Sequence, residues 1–124
     1  MILEFLPQAF TVAKVPHNGE IPEGIFVFTA RTDAEYSLVC PTSDVPRNTL
    51  VREDGWRAFR IAGTLEFSLV GILAGISSVL AKAEIGIFAV STFDTDYILF
   101  KEERGAAVRA VLREAGYEIR ELSL

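Results

Sequence analysis

The residues able to do chemistry in this 124-residue chain are few, and most sit in one short string. Ser91-Thr92-Phe93-Asp94-Thr95-Asp96 places hydroxyls and carboxylates within six residues. A carboxylate there can hold an ammonium group through charge-assisted hydrogen bonds. It can also bind a divalent cation if a third acid joins it, but the sequence brings none nearby. A second string, Ser68-Leu69-Val70-Gly71-Ile72, precedes an apolar periodic segment. The start of a helix leaves backbone N–H groups unpaired and carries the positive end of a dipole, which suits a ligand carboxylate. Gly71 leaves room for close approach, and Ser68 can cap the helix or donate to a ligand. The remaining reactive side chains lead nowhere. The only histidine, His17, lies in Pro16-His17-Asn18-Gly19, which reads as a turn. With one histidine and one cysteine, Cys40, a Cys/His zinc site and an internal disulfide are both excluded. No nucleophile–base pair can be assembled, so neither catalytic residues, nor a metal, nor a cofactor is expected.

The elements that must position these strings follow from periodicity. Trp56 to Ala62 alternates as a strand. Val70 to Ala83 has helical spacing at Val70, Leu73, Ile76, Val79, Leu80 and Ala83, with only Ser77, Ser78 and Lys82 polar. A helix so apolar is expected to be largely buried. Ile85 to Thr92 and Asp96 to Lys101 read as two strands around the turn Phe93-Asp94-Thr95. Glu103 to Ala115 is an amphipathic helix closed by Gly116, and Tyr117 to Leu122 is a last strand. The order β-α-β-β-α-β is that of a ferredoxin-like α+β unit.

An internal repeat accounts for the rest. Gly24-Ile25-Phe26-Val27-Phe28-Thr29 resembles Gly86-Ile87-Phe88-Ala89-Val90-Ser91, and Glu35-Tyr36-Ser37-Leu38-Val39 resembles Asp96-Tyr97-Ile98-Leu99-Phe100. Upstream, Ala9 to Ala13 matches Ala58 to Ala62. In the first copy, Pro16 to Gly24 stands where the first helix belongs, and its Pro and Gly content makes it a loop. Pro41 to Pro46 replaces the second helix with at best one turn. Thr49 to Glu53 reads as a short strand and Asp54-Gly55 as a tight turn. The expected organisation is a reduced unit over 1–54 and a complete one over 55–124.

Composition excludes several classes. Half of the residues are hydrophobic, 12 Lys+Arg face 17 Asp+Glu, and the net charge is −5. An acidic chain of this kind disfavours nucleic acid, and RNA binding needs exposed sheet aromatics with basic neighbours, whereas only Lys101 stands near Phe100. No run of about 18 apolar residues exists and Met1 to Phe10 lacks a basic leader, so no membrane span or signal peptide is read, and a cytoplasmic location is expected. Strands such as Ile25 to Phe28 and Ile87 to Val90 are apolar on both faces while helices are scarce. A second subunit is expected to cover the spare face, giving a homodimer.

The string Ser91-Thr92-Phe93-Asp94-Thr95-Asp96-Tyr97-Ile98-Leu99 after Gly86-Ile87-Phe88-Ala89-Val90 resembles the ACT-domain signature of small bacterial tandem-ACT proteins. The same S-T-x-x-x-D pattern occurs in animal cytosolic arginine sensors, and a looser form in the regulatory region of aspartate kinases. The resemblance spans Trp56 to Tyr117. It implies a small-molecule sensor that binds a free amino acid at an interface between paired modules. By the same resemblance, Ser91, Thr92, Phe93 and Asp96 match the ligand-facing motif, and Leu69, Val70, Gly71 and Ile72 match the loop-to-helix segment beside Ser68. Where the arginine sensors carry acidic residues before their helix, this chain has Ser68 and Leu69, so a neutral or apolar amino acid stays open beside a cationic one. From the residues alone, Asp94 and Asp96 are equally ordinary turn residues, and Ser68 an ordinary cap. The competing class is a structural or adaptor protein that keeps the fold without a ligand.

Overall fold

The structure, a computed structural model, describes residues 1–63 and 71–123. Its strands are β1 (Ile2–Phe5), β2 (Phe10–Val15), β3 (Phe28–Arg31), β4 (Tyr36–Pro41), β5 (Val51–Ile61), β6 (Ile87–Ser91), β7 (Asp96–Lys101) and β8 (Glu118–Glu121); the helices are α1 (Ile72–Lys82) and α2 (Gly105–Glu114). The chain divides into two compact units, Gln8–Trp56 and Met1–Pro7 with Arg57–Leu124. Strand β5 gives its first half to one and its second half to the other.

Within Gln8–Trp56 the strand order is β3-β4-β2-β5, every neighbour antiparallel. That is the order of a ferredoxin-like sheet. Phe10, Thr11, Ala13 and Val15 of β2 are buried, and Leu38 and Cys40 of β4 join Val15 in a small core that Ile21, Val27, Tyr36 and Val45 flank. Pro16 to Gly24 is loop, as its prolines and glycines dictate. The place of a second helix holds only a 3₁₀ turn, Thr42–Asp44, between Pro41 and Pro46.

The other unit carries both helices. Its strand order is β6-β7-β5-β1-β8, so β1 is inserted between the first and last strands of the β-α-β-β-α-β series, antiparallel to β5 and parallel to β8. Sequence pattern alone puts no strand before Phe10 and assigns Met1 to Pro7 to the reduced unit over 1–54. Instead, Leu3 and Phe5 lie opposite Ile61 and Phe59 and are fully buried, which ties Met1–Pro7 to the C-terminal unit. The core joins Leu3, Phe5, Phe59, Ile61, Ile98 and Phe100 of the sheet to Ile76 and Leu80 of α1 and Val108 and Leu112 of α2. Phe5 stacks on Phe59 with ring centroids 4.9 Å apart, and Phe100 tilts against both at 5.8 and 6.1 Å. Such aromatic contacts add to what burial alone supplies. The alternation that sends these residues to the helices sends Glu4, Arg60 and Arg120 to the opposite face. There Glu4 accepts from Arg60 Nε at 2.9 Å and lies 3.7 Å from Arg120.

Three local expectations are corrected. Thr49 to Glu53 and Trp56 to Ala62 do not form separate strands around a turn: Val51–Ile61 is a single strand, and Asp54-Gly55 is a bulge in it. Phe10 and Val12 of β2 face Trp56 and Glu53, so one extra residue sits on β5, with Gly55 at φ 86°. An Asp-Gly pair suits a bulge with a left-handed glycine as well as it suits a hairpin turn, so the dipeptide alone does not separate them. Next, Phe26 lies outside β3 at φ 60° with its ring edge-on to Phe10, so the strand begins later than the apolar string. Finally, from β3 and β6 onward the repeat runs at a constant offset of sixty. The terminal pairs Arg31–Tyr36 and Ser91–Asp96 correspond, as do the 3₁₀ turns Thr42–Asp44 and Glu102–Arg104. Tyr36, not Glu35, therefore occupies the position of Asp96.

Candidate functional site

The hairpin between β6 and β7 is built on Thr92. Its N–H donates to the Thr95 carbonyl at 2.8 Å, its hydroxyl donates to the same carbonyl at 3.0 Å, and the Thr95 N–H donates back to that hydroxyl at 3.3 Å. The other unit repeats the device with Thr32, whose hydroxyl accepts from the N–H groups of Ala34 and Glu35 at 3.1 Å each. A threonine at this place mimics a backbone turn with its side chain. The Thr95 hydroxyl is buried and donates to the carbonyl of Ile61 at 2.7 Å, which fixes the hairpin to the end of β5.

This frame sorts the expected site residues. Ser91 and Asp96 form the last pair of β6 and β7. By strand alternation they share the helix-bearing face with Ile98 and Phe100, and Asp96 is half-buried. Thr92 and Asp94 are exposed, and Phe93 at the tip is 80% exposed. Gly71, at φ 81°, precedes α1, and a Cβ there would meet nothing within 4 Å. The first intrahelical bond runs from the Gly75 N–H to the Gly71 carbonyl at 2.8 Å, and no side chain among the described residues caps the start. The N–H groups left over by helix geometry are thus those of Ile72, Leu73 and Ala74. Ser68, Leu69 and Val70 lie outside the described residues.

Among the described residues, connectivity relates the start of α1 to the Ser91–Asp96 pair. The C-terminus of α1 joins β6 through residues 83–86, and α1 and β6 each extend about 16 Å. The start of α1 therefore points toward the end of β6, where Ser91 and Asp96 pair.

On the other side of the hairpin is a cleft of about 250 Å³, lined by Glu4, Arg60, Ile61, Gly63, Thr92, Asp94, Thr95 and Tyr97. Arg60 reaches the Tyr97 hydroxyl at 3.4 Å, and this contact, with the Glu4 carboxylate, raises its pKa further, so the guanidinium charge is fixed. Sequence reasoning does not single out Glu4, Arg60 or Tyr97. Glu4 between Leu3 and Phe5, and Arg60 between Phe59 and Ile61, are the available signal: a charge inside an apolar alternation marks the second face of a strand. Among the described residues no group of three or more His, Cys, Asp or Glu is placed to hold a metal ion. No helix among them is long and apolar enough to cross a membrane.

The described residues form a ferredoxin-like α+β unit joined in one chain to a reduced copy of itself, and comparison with known proteins specifies the class. The ACT domain family signature matches residues 51–114. Protein Atu0741 of Agobacterium tumefaciens has a solved structure that is similar over 99% of this chain and 94% of its own, at 31% identity and a TM-score of 0.87. The alpha and beta subunits of an aspartokinase match at 16% identity over 91% of each chain, with a TM-score of 0.66. The ligand-free regulatory subunit of aspartate kinase from Thermus thermophilus matches at 7% identity over 92% of this chain and 96% of its own, with a TM-score of 0.63. At such identities these two show the shared fold alone. No curated protein matches the chain. The chain belongs to the ACT domain family, and its fold is that of the regulatory domains of aspartate kinases.

Proposed function

We propose that the chain is a non-enzymatic sensor that works as a homodimer and binds a free α-amino acid at a boundary between ACT modules of two copies. The ligand ammonium is held by Asp96, with Ser91, Thr92 and Phe93 around it. The carboxylate is held by N–H groups at the start of α1, from Gly71 and Ile72 onward, with Ser68, Leu69 and Val70 completing the segment. Asp96 carries the reading: it is half-buried at the start of β7 on the helix-bearing face, at the end of the unit toward which α1 begins. A zwitterion needs an anion and a set of free donors side by side, and these two elements are the available pair. The sixty-residue repeat sharpens it, because Tyr36 stands at the corresponding place and lacks the charge. The ACT domain family and the aspartate kinase regulatory subunit that shares this fold support a regulatory role. A cytoplasmic location goes with this reading.

The test is a thermal-shift panel of the twenty amino acids, followed by calorimetry of the best ligand on wild type and Asp96→Asn. A ligand that stabilises wild type and is lost in the variant supports the sensor. If none of the twenty binds below millimolar concentration, the alternative stands, a structural or adaptor protein of the same fold without a ligand.

A further inference from the structure

Helix α1 is less covered than its sequence requires. Ile72–Lys82 contains one charged residue, Lys82, yet only Ile76 and Leu80 are buried. Ile72, Leu73, Val79 and Ala83 are only partly covered, and Ala74, Ser78 and Ala81 are exposed. A helix apolar nearly all round belongs in an interior or against a partner. Beside α2 it leaves a groove of about 330 Å³, floored by Val79, Ala83, Val111 and Ala115 and flanked by Lys82 on α1 and Glu114 on α2. Lys82 and Glu114 each lack an ion pair or hydrogen bond among the described residues.

We propose that this helical groove is the contact surface for a second copy of the chain, with Lys82 facing Glu114 of the partner subunit. An isologous contact must be self-complementary: whatever one copy offers, the other must accept at the same patch. A two-fold axis through the groove floor lays α1 of one copy over α2 of the other. It brings opposite charges together twice, around an apolar floor whose small residues permit close approach. A partner of one net charge would satisfy only one flank. The inference rests on the homodimer reading above but places the contact on the helices rather than on the spare sheet face that the strand pattern suggests.

Sedimentation velocity at micromolar concentration tests it. Wild type should sediment near twice 13.7 kDa and dissociate more readily at high salt. Lys82→Glu and Glu114→Lys each replace two attractions by two repulsions and should each weaken the dimer by roughly tenfold or more. Lys82→Glu combined with Glu114→Lys restores the complementarity and should recover the dimer. Both side chains are exposed, and circular dichroism confirms that each variant is folded. A wild-type dimer that both single variants leave intact places the interface elsewhere and overturns this surface, while the homodimer survives. Weakened single variants that the double variant fails to rescue overturn the pairing. A wild-type monomer overturns the surface and the homodimer together.

Discussion

The Thr95 hydroxyl donates to the Ile61 carbonyl at 2.7 Å, and both residues are buried. This bond joins the head of the hairpin that carries Asp96 to the strand from which the chain leaves toward α1. Thr95→Val keeps the shape and leaves the carbonyl without its donor. It should cost about 1–3 kcal/mol, the range for a buried acceptor left unsatisfied, whereas Thr95→Ser should cost less because the donor remains. Denaturant melts of the three proteins check this. Equal losses for Val and Ser would mean that packing of the methyl group, not the hydrogen bond, matters there.

The two helices end in the same way with different residues. In α2, Gly116 (φ 98°) donates to the Arg113 carbonyl and Tyr117 to the Leu112 carbonyl, each at 3.0 Å. In α1, Glu84 (φ 59°) donates to Ala81 at 2.9 Å and Ile85 to Leu80 at 3.0 Å. This pair of bonds is a Schellman end, and its left-handed position favours glycine. A side chain there costs roughly 1–2 kcal/mol. Glu84→Gly should therefore stabilise the fold by up to about 1 kcal/mol, and Gly116→Ala should destabilise it by about as much. Thermal melts should move in opposite directions; a fall in both variants would sink the argument.

How far the sequence reveals this fold depends on the kind of signal. The complete unit is legible because its periods change from two to 3.6 at recognisable places: the pattern gives β7 its observed bounds, Asp96 to Lys101, and marks Gly116 as the residue ending α2. Ile2–Phe5 is not legible, because four residues give too few alternations to separate a strand from a tail, and its partners are more than fifty residues away. The bulge at Asp54-Gly55 reads as a turn because the same dipeptide serves two geometries. In the site, the hairpin is legible through its hydroxyl and carboxylate spacing. The cleft of Glu4, Arg60 and Tyr97 is not, because it is assembled from β1, β5 and β7 by register rather than by proximity in sequence.

Cys40 is fully buried, and burial, with Asp44 nearby, pushes its thiol pKa up to about 11. The folded state therefore prefers the neutral thiol. Stability from this preference is complete below the unfolded pKa of about 8.5 and is lost as pH rises toward the folded value. Two outcomes are expected. Native protein should react with a thiol reagent at pH 8 only slowly, and rapidly once denatured, since the thiolate is the nucleophile. Stability should also fall above about pH 8.5, with a shallower fall in Cys40→Ala whatever its loss at neutral pH. Identical slopes in the two proteins would assign the alkaline decline to another group.

Asp96→Asn separates the two readings of the hairpin. If Asp96 only ends a turn, the amide should serve as well, because the turn is closed by Thr92 and Thr95 and Asp96 contributes its backbone to the pair with Ser91. The melting temperature should change little in either reading. If Asp96 holds a ligand ammonium, losing the charge removes a charge-assisted hydrogen bond while the shape persists. Binding should then weaken by about 1.5–3 kcal/mol, which is about ten- to more than a hundredfold in affinity. Deamino and N-acetyl analogues, which lack the ammonium, should bind wild type as poorly as the amino acid binds the variant. Tyr36, at the equivalent place in the other unit, supplies the control: Tyr36→Phe should leave affinity unchanged. Calorimetry on the three proteins decides it, since a ligand bound equally by wild type and Asp96→Asn would remove Asp96 from the site.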